Sequence, residues 1–149
     1  MRKNEENLHL RICDFLRKNY PDVIFRTDFS SGMKMTPGQA IKHKKFQSSR
    51  AYPDLFIAKS GTVEIKNKKE GVVANIRRYG MFLELKAESV KIYKKNGEIV
   101  ANKHYQEQDE MLKRLRAENY YAEFAIGYDD AIQQITNYLG KPKRKEIEF

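Results

Sequence analysis

At 149 residues, with 40% hydrophobic and 33% charged positions, the chain is long enough for one packed core and too apolar for disorder throughout. A single cysteine, Cys13, excludes an intramolecular disulfide and any CxxC zinc or redox motif, and the lack of a long apolar run argues against a signal peptide or membrane span, so a cytoplasmic chain is expected. Lys and Arg number 29 against 20 acids, a net charge of +9, which favours a polyanionic partner because each phosphate contact releases condensed counterions.

Residues 4–18 place Leu8, Ile12, Phe15 and Leu16 on one stripe, the spacing of an amphipathic helix, and Pro21 follows where helices stop. "VIFRTDF", residues 23–29, is expected as a strand. Residues 30–51 are rich in Ser, Gly and Lys and read as a long basic loop with a short helical stretch after Pro37. Loops of that length within a compact domain often carry function. "PDLFIAK" is a strand opened by a proline, "TVEIKNKKEG" a weaker strand running into a turn, and "YGMFLELKAE" a strong strand. "VKIYKKNGEIV" carries a hairpin signature at Asn96-Gly97. From 104 to 118 the pattern turns helical, with Met111, Leu112 and Leu115 on one face and Asn119 as the stop. "YYAEFAIG" is a strand, and "DDAIQQITNYLG" is a helix begun by acids and closed by Gly140. This order predicts one α/β domain over 1–149, a central mixed β-sheet flanked by helices with an inserted basic loop and a β-hairpin. Residues 141–149 form a short basic tail, expected to be flexible.

"GMFLELKAE" sets two opposite charges into an apolar strand. Residues i and i+2 share a face, so Phe82, Glu84 and Lys86 point one way and Met81, Leu83 and Leu85 the other. Burying Glu84 and Lys86 is costly unless they pair, bind a metal or face a cleft. Asp54 stands at the entry of another strand, and neighbouring strands lie about 4.8 Å apart, so Asp54 and Glu84 can bracket one cation if those strands pair. Two carboxylates and a lysine suit Mg²⁺- or Mn²⁺-dependent phosphodiester hydrolysis, with Lys86 orienting the attacking water or offsetting charge. A second ExK, Glu64-Ile65-Lys66, follows Asp54 more closely, but its strand lacks the apolar run that seats Glu84. The three histidines, His9, His43 and His104, show no zinc-like spacing.

Pro53-Asp54 followed by Glu84-Leu85-Lys86 resembles the PD-(D/E)XK nuclease signature, and the wider pattern resembles its VRR-NUC branch: Glu5 on an early helix, "PDLFIAK", "GMFLELK", and "EQDEMLKRL" containing Gln108. The resemblance runs from about residue 5 to 139. It implies a restriction-endonuclease-like core and a DNA endonuclease. Asp54, Glu84, the Leu85 carbonyl and Glu5 would bind the metal, Lys86 would assist the nucleophile, and Gln108 would hold it in place. It also implies homodimers acting on branched DNA such as four-way junctions. Helix geometry sets Glu5, not Glu6, near the Leu8 stripe, although an N-terminal glutamate favoured by the helix dipole explains Glu5 equally well. Gln108 rides the apolar face of its helix, which Gln106 does not. Lys42, Lys44, Lys45 and Arg50, in the basic loop, would grip phosphates. Members of the branch often have glutamine where this chain has His9, which reads as a half-exposed helix residue rather than a ligand. The rival class is a basic binding module that keeps the fold without turnover; a third is a protein-binding inhibitor of host defence.

Overall fold

A computed structural model of the chain describes residues 2–28 and 34–143. In chain order the elements are α1 (Arg2–Asn19), β1 (Phe25–Thr27), α2 (Pro37–Lys45), β2 (Leu55–Ile57), β3 (Gly61–Asn67), β4 (Gly71–Arg78), β5 (Met81–Lys86), α3 (Lys103–Ala117), β6 (Tyr121–Ile126) and α4 (Tyr128–Leu139). Four strands form a mixed sheet in the order β1-β2-β5-β6, antiparallel except for the β5–β6 pair. Parallel neighbours need a crossover, and α3 supplies it.

All six residues of β5 are buried, because the strand lies between two partners and is covered on both faces. Met81, Leu83 and Leu85 pack with Leu8, Ile12 and Leu16 of α1 and with Ile135 and Tyr138 of α4. On the opposite face Phe82 packs with Leu112 of α3 and Phe124 of β6, and its ring stacks on Phe56 with centroids 4.5 Å apart. The two-residue alternation expected for this strand is therefore realised, each parity feeding a separate cluster.

Near α2 the chain relies on local bonds. Thr36 Oγ1 accepts the Gln39 amide at 3.2 Å and Gln39 Oε1 accepts the Thr36 amide at 3.0 Å, a capping box with Pro37 at the first helical position. No residue of α2 is buried, and its last turn carries Lys42, His43, Lys44 and Lys45. The short helix expected after Pro37 is thus present, presenting cations at its C-terminal end, where the helix dipole favours them.

The hairpin lies elsewhere than expected. Around Asn96-Gly97 the turn forms, with the Lys94 amide donating to the Glu98 carbonyl at 2.7 Å, but only one bridge, Tyr93 with Ile99, follows. Buried Ile92 ties this segment to the α3 side of the sheet. The extended hairpin is β3–β4, a separate two-stranded sheet. A bulge between Ile65 and Lys66 breaks the alternation, and adjacent Val72 and Val73 are both exposed, so β4 shows no period of two in its sequence. The first strand is shorter than the 23–29 expectation, which extends into undescribed residues, and most of the 141–149 tail also lies outside the described residues. No helix among the described residues is long and apolar enough to cross a membrane.

Candidate active site

The strand register places the acids. Leu55 is paired with Leu83 in the antiparallel β2–β5 ladder, so Pro53 comes opposite Leu85. The carbonyls of Gly80 and Lys86 are taken by Tyr121 and Gly127 on the β6 side, which leaves the amide and carbonyl of Leu85 facing β2. There the Leu85 amide donates to Asp54 Oδ2 at 2.9 Å. The Leu85 carbonyl faces Pro53, which has no amide hydrogen to offer it. The proline thus ends the ladder and lets the next side chain, Asp54, take over its last bond.

Glu84 is 4% exposed. Its Oε1 accepts the Gln108 amide at 3.0 Å and lies 3.6 Å from Lys86 Nζ, while the Lys86 ammonium sits over the Tyr105 ring, 5.0 Å from the centroid. The carboxyls of Asp54 and Glu84 lie close enough to influence each other's ionisation. Burial, then the charge of Asp54, pushes Glu84 well above the usual carboxylate range. Burial raises Asp54 as well, opposed by neighbouring Glu84, by His9, by the Leu85 amide and by Lys86. Lys86 offsets one of the two negative charges, so both buried acids ionise together only if further positive charge joins them.

Asp54, Glu84, Lys86 and Gln108, separated by up to 54 positions in sequence (108 − 54), are therefore brought together. Three neighbours carried no signal strong enough to single them out. Tyr105 flanks Lys86, and His104 Nε2 lies 3.2 Å from the Gln108 amide nitrogen. Burial and the charge of Lys86 hold His104 below its usual value, which suits a neutral ring accepting from that amide. His9, expected half-exposed, is instead 8% exposed and is a near neighbour of Asp54. The reason is that Cys13, one turn on, is also buried and widens the packed face of α1 beyond the Leu8–Ile12–Leu16 stripe. Among the described residues, the buried side-chain atoms lacking a hydrogen-bond partner are His9 Nδ1, Glu84 Oε2 and Gln108 Oε1. All three belong to residues already placed around Glu84 and Asp54.

Glu5 is half-buried one turn before His9, whereas Glu6 is exposed, as the helix geometry predicts. No hydrogen bond or ion pair among the described residues joins Glu5 to Asp54 or Glu84, and no group of three or more His, Cys, Asp and Glu is gathered tightly enough to hold a metal unaided. Two carboxylates with one orphaned oxygen and a backbone carbonyl still match a hard cation that keeps several waters in its shell. The competing pair, Glu64 and Lys66, lies 3.9 Å apart on exposed β3, outside the sheet that holds Asp54.

Lys42, Lys44 and Lys45 are exposed on α2, whereas Arg50 is engaged by Glu107, with its Nε donating to Oε2 at 3.0 Å and its Nη2 to Oε1 at 3.1 Å. A cleft of about 560 Å³ runs from the end of α2, at His43 and Phe46, past Arg26, Asp28 and Tyr52 to Asp54.

Among solved structures, the chain is similar to one described as a VRR_NUC domain protein, at 17% identity and a TM-score of 0.53, the match covering 98% of this chain and 96% of that one. The chain has a VRR_NUC-type, nuclease-like fold. No protein-family model and no curated protein sequence matches it. The VRR_NUC likeness spans both the sheet that carries Asp54 and Glu84 and the helices that carry His9 and Gln108.

Proposed function

We propose that the chain is a divalent-metal-dependent endonuclease that hydrolyses phosphodiester bonds in DNA. One observation carries the reading: Asp54 and Glu84 are buried as neighbours with Glu84 Oε2 unpartnered, and their doubly ionised form carries one more negative charge than Lys86 offsets, which calls for a further cation. Asp54, Glu84 and the Leu85 carbonyl would hold Mg²⁺ or Mn²⁺, with Glu5 as a further acid on α1. When bound, such an ion acidifies a water and offsets charge developing on the phosphate.

The chain's own groups supply the remainder. Lys86, held 3.6 Å from Glu84 Oε1 by that acid and by the Tyr105 ring, orients the attacking water and stabilises negative charge on a phosphate oxygen. Gln108 fixes the Glu84 carboxylate, which keeps Lys86 in place. Lys42, Lys44 and Lys45 attract the backbone of the substrate. Resemblance to the VRR-NUC branch extends the proposal to branched DNA cut by a pair of chains.

The test is incubation of labelled four-way junction, flap, single-stranded and duplex DNA with Mg²⁺, with Mn²⁺ or with chelator. Cleavage is expected with either metal and none with chelator. Asp54→Asn and Lys86→Ala should lower the rate by about 10²-fold or more while DNA binding persists. DNA binding without cleavage under any metal would make the chain a binding module instead.

A further inference from the structure

The cleft that reaches Asp54 carries more than phosphate chemistry. Phe46, at the C-terminal end of α2, is 79% exposed, and Tyr52, two residues before Asp54, is 43% exposed; both line the cleft. Tyr52 is braced by the core, its ring standing perpendicular to that of Phe82 with centroids 5.7 Å apart, while part of it remains open to solvent. Arg26 lines the same cleft and lies close enough to oppose the rise in the Tyr52 hydroxyl. Gln47 and Ser48 add an amide and a hydroxyl, and Asp28 adds a second acid near Asp54.

Two aromatic faces, a guanidinium, hydrogen-bonding side chains and a buried acid make a set suited to one nucleotide. Its volume, about 560 Å³, falls within the roughly 300–1,000 Å³ of small-molecule sites. In a duplex both faces of each internal base are covered by neighbours, so an aromatic ring lining the cleft can stack only on a base that has left the stack. We propose that Phe46 and Tyr52 receive an unpaired nucleobase next to the phosphate bound at Asp54, making the preferred substrate a nucleic acid with unpaired nucleotides at the cleavage point. This rests on the nuclease reading for the position of the phosphate. It adds the class of substrate.

The two readings separate in a binding experiment that needs no turnover. With Ca²⁺ in place of the catalytic ion, single-stranded DNA, single-stranded RNA, a flap and a blunt duplex, each carrying one 2-aminopurine, are titrated with the wild-type chain and with Phe46→Ala, Phe46→Leu, Tyr52→Ala and Lys42→Ala. Stacking predicts quenching on the unpaired substrates only, and a loss of affinity for them of about tenfold in each alanine variant, with duplex affinity within twofold of wild type. Phe46→Leu should behave like Phe46→Ala, since leucine keeps apolar area and loses the aromatic face, and Lys42→Ala should weaken all substrates alike. The single-stranded DNA and RNA arms show whether the sugar contributes. Equal losses on duplex and unpaired DNA, or no loss in Phe46→Ala, whose exposed position makes misfolding an unsuitable excuse, would overturn the proposal. Selective loss combined with no cleavage under Mg²⁺ or Mn²⁺ would keep the base-binding cleft and remove the nuclease reading.

Discussion

At the scale of single residues, the chemistry turns on Glu84. Its carboxyl and that of Asp54 have folded-state values raised above the ordinary range, so the native chain retains protons that the unfolded chain has released. For an acid of that kind stability is complete below the unfolded value, near 4, and is lost as pH rises toward the folded value. With chelator present, the thermal midpoint of wild type relative to Glu84→Gln is expected to fall across that interval, and Mg²⁺ should restore it most at the alkaline end. Parallel pH profiles for the two proteins, with and without Mg²⁺, would contradict this. His9 belongs to the same scale: one buried histidine with an orphaned ring nitrogen is a property of its surroundings that residue type alone does not disclose.

At the scale of elements, two ExK sequences occupy two strands and only the surroundings separate them. Glu64 and Lys66 stand on a strand whose residues beyond Val63 are all exposed, whereas Glu84 and Lys86 lie at the centre of the main sheet. Glu64→Gln and Lys66→Ala should therefore leave the cleavage rate within about twofold of wild type, surface ion pairs of this kind contributing little. A hundredfold loss in either would relocate the site. The β3–β4 hairpin is joined to the body where Gly61 passes Tyr138: a Cβ at Gly61 would come within 2.8 Å of the tyrosine ring and 2.9 Å of its carbonyl oxygen. Gly61→Ala is expected to destabilise the fold by about 1–3 kcal/mol, read as a lower thermal midpoint, and an unchanged midpoint would show that the contact yields freely.

At the scale of the molecule, the +9 charge and the cleft act together. Three exposed lysines on α2 stand beside a cleft ending at buried acids, so on the proposed reading the groups that attract DNA are separate from those that act on it. Replacing Lys42, Lys44 and Lys45 together by Ala should weaken DNA binding and reduce the slope of log affinity against log salt by roughly 3 units, since each phosphate contact contributes about 0.9. An unchanged slope would move the phosphate contacts elsewhere on the surface. Arg50 is expected to contribute less, because Glu107 already occupies its guanidinium.

The sequence by itself determined the elements with strong periodicity and the side of each that is buried. The stripe on α1, the parity of β5 and the inward face of Gln108 are local properties of 3.6- and 2-residue repeats, and they follow from the order of residues alone. It also confined the acids to strand entries and interiors, where a buried charge calls for a partner. Tertiary structure decided the rest. Whether β2 and β5 are neighbours, and therefore whether Asp54 meets Glu84, depends on pairing between segments some thirty positions apart, which no local pattern encodes. The choice between Glu64 and Glu84, the burial of His9 and the position of the true hairpin each depend on what covers a residue from another element, and burial is a property of the assembled chain.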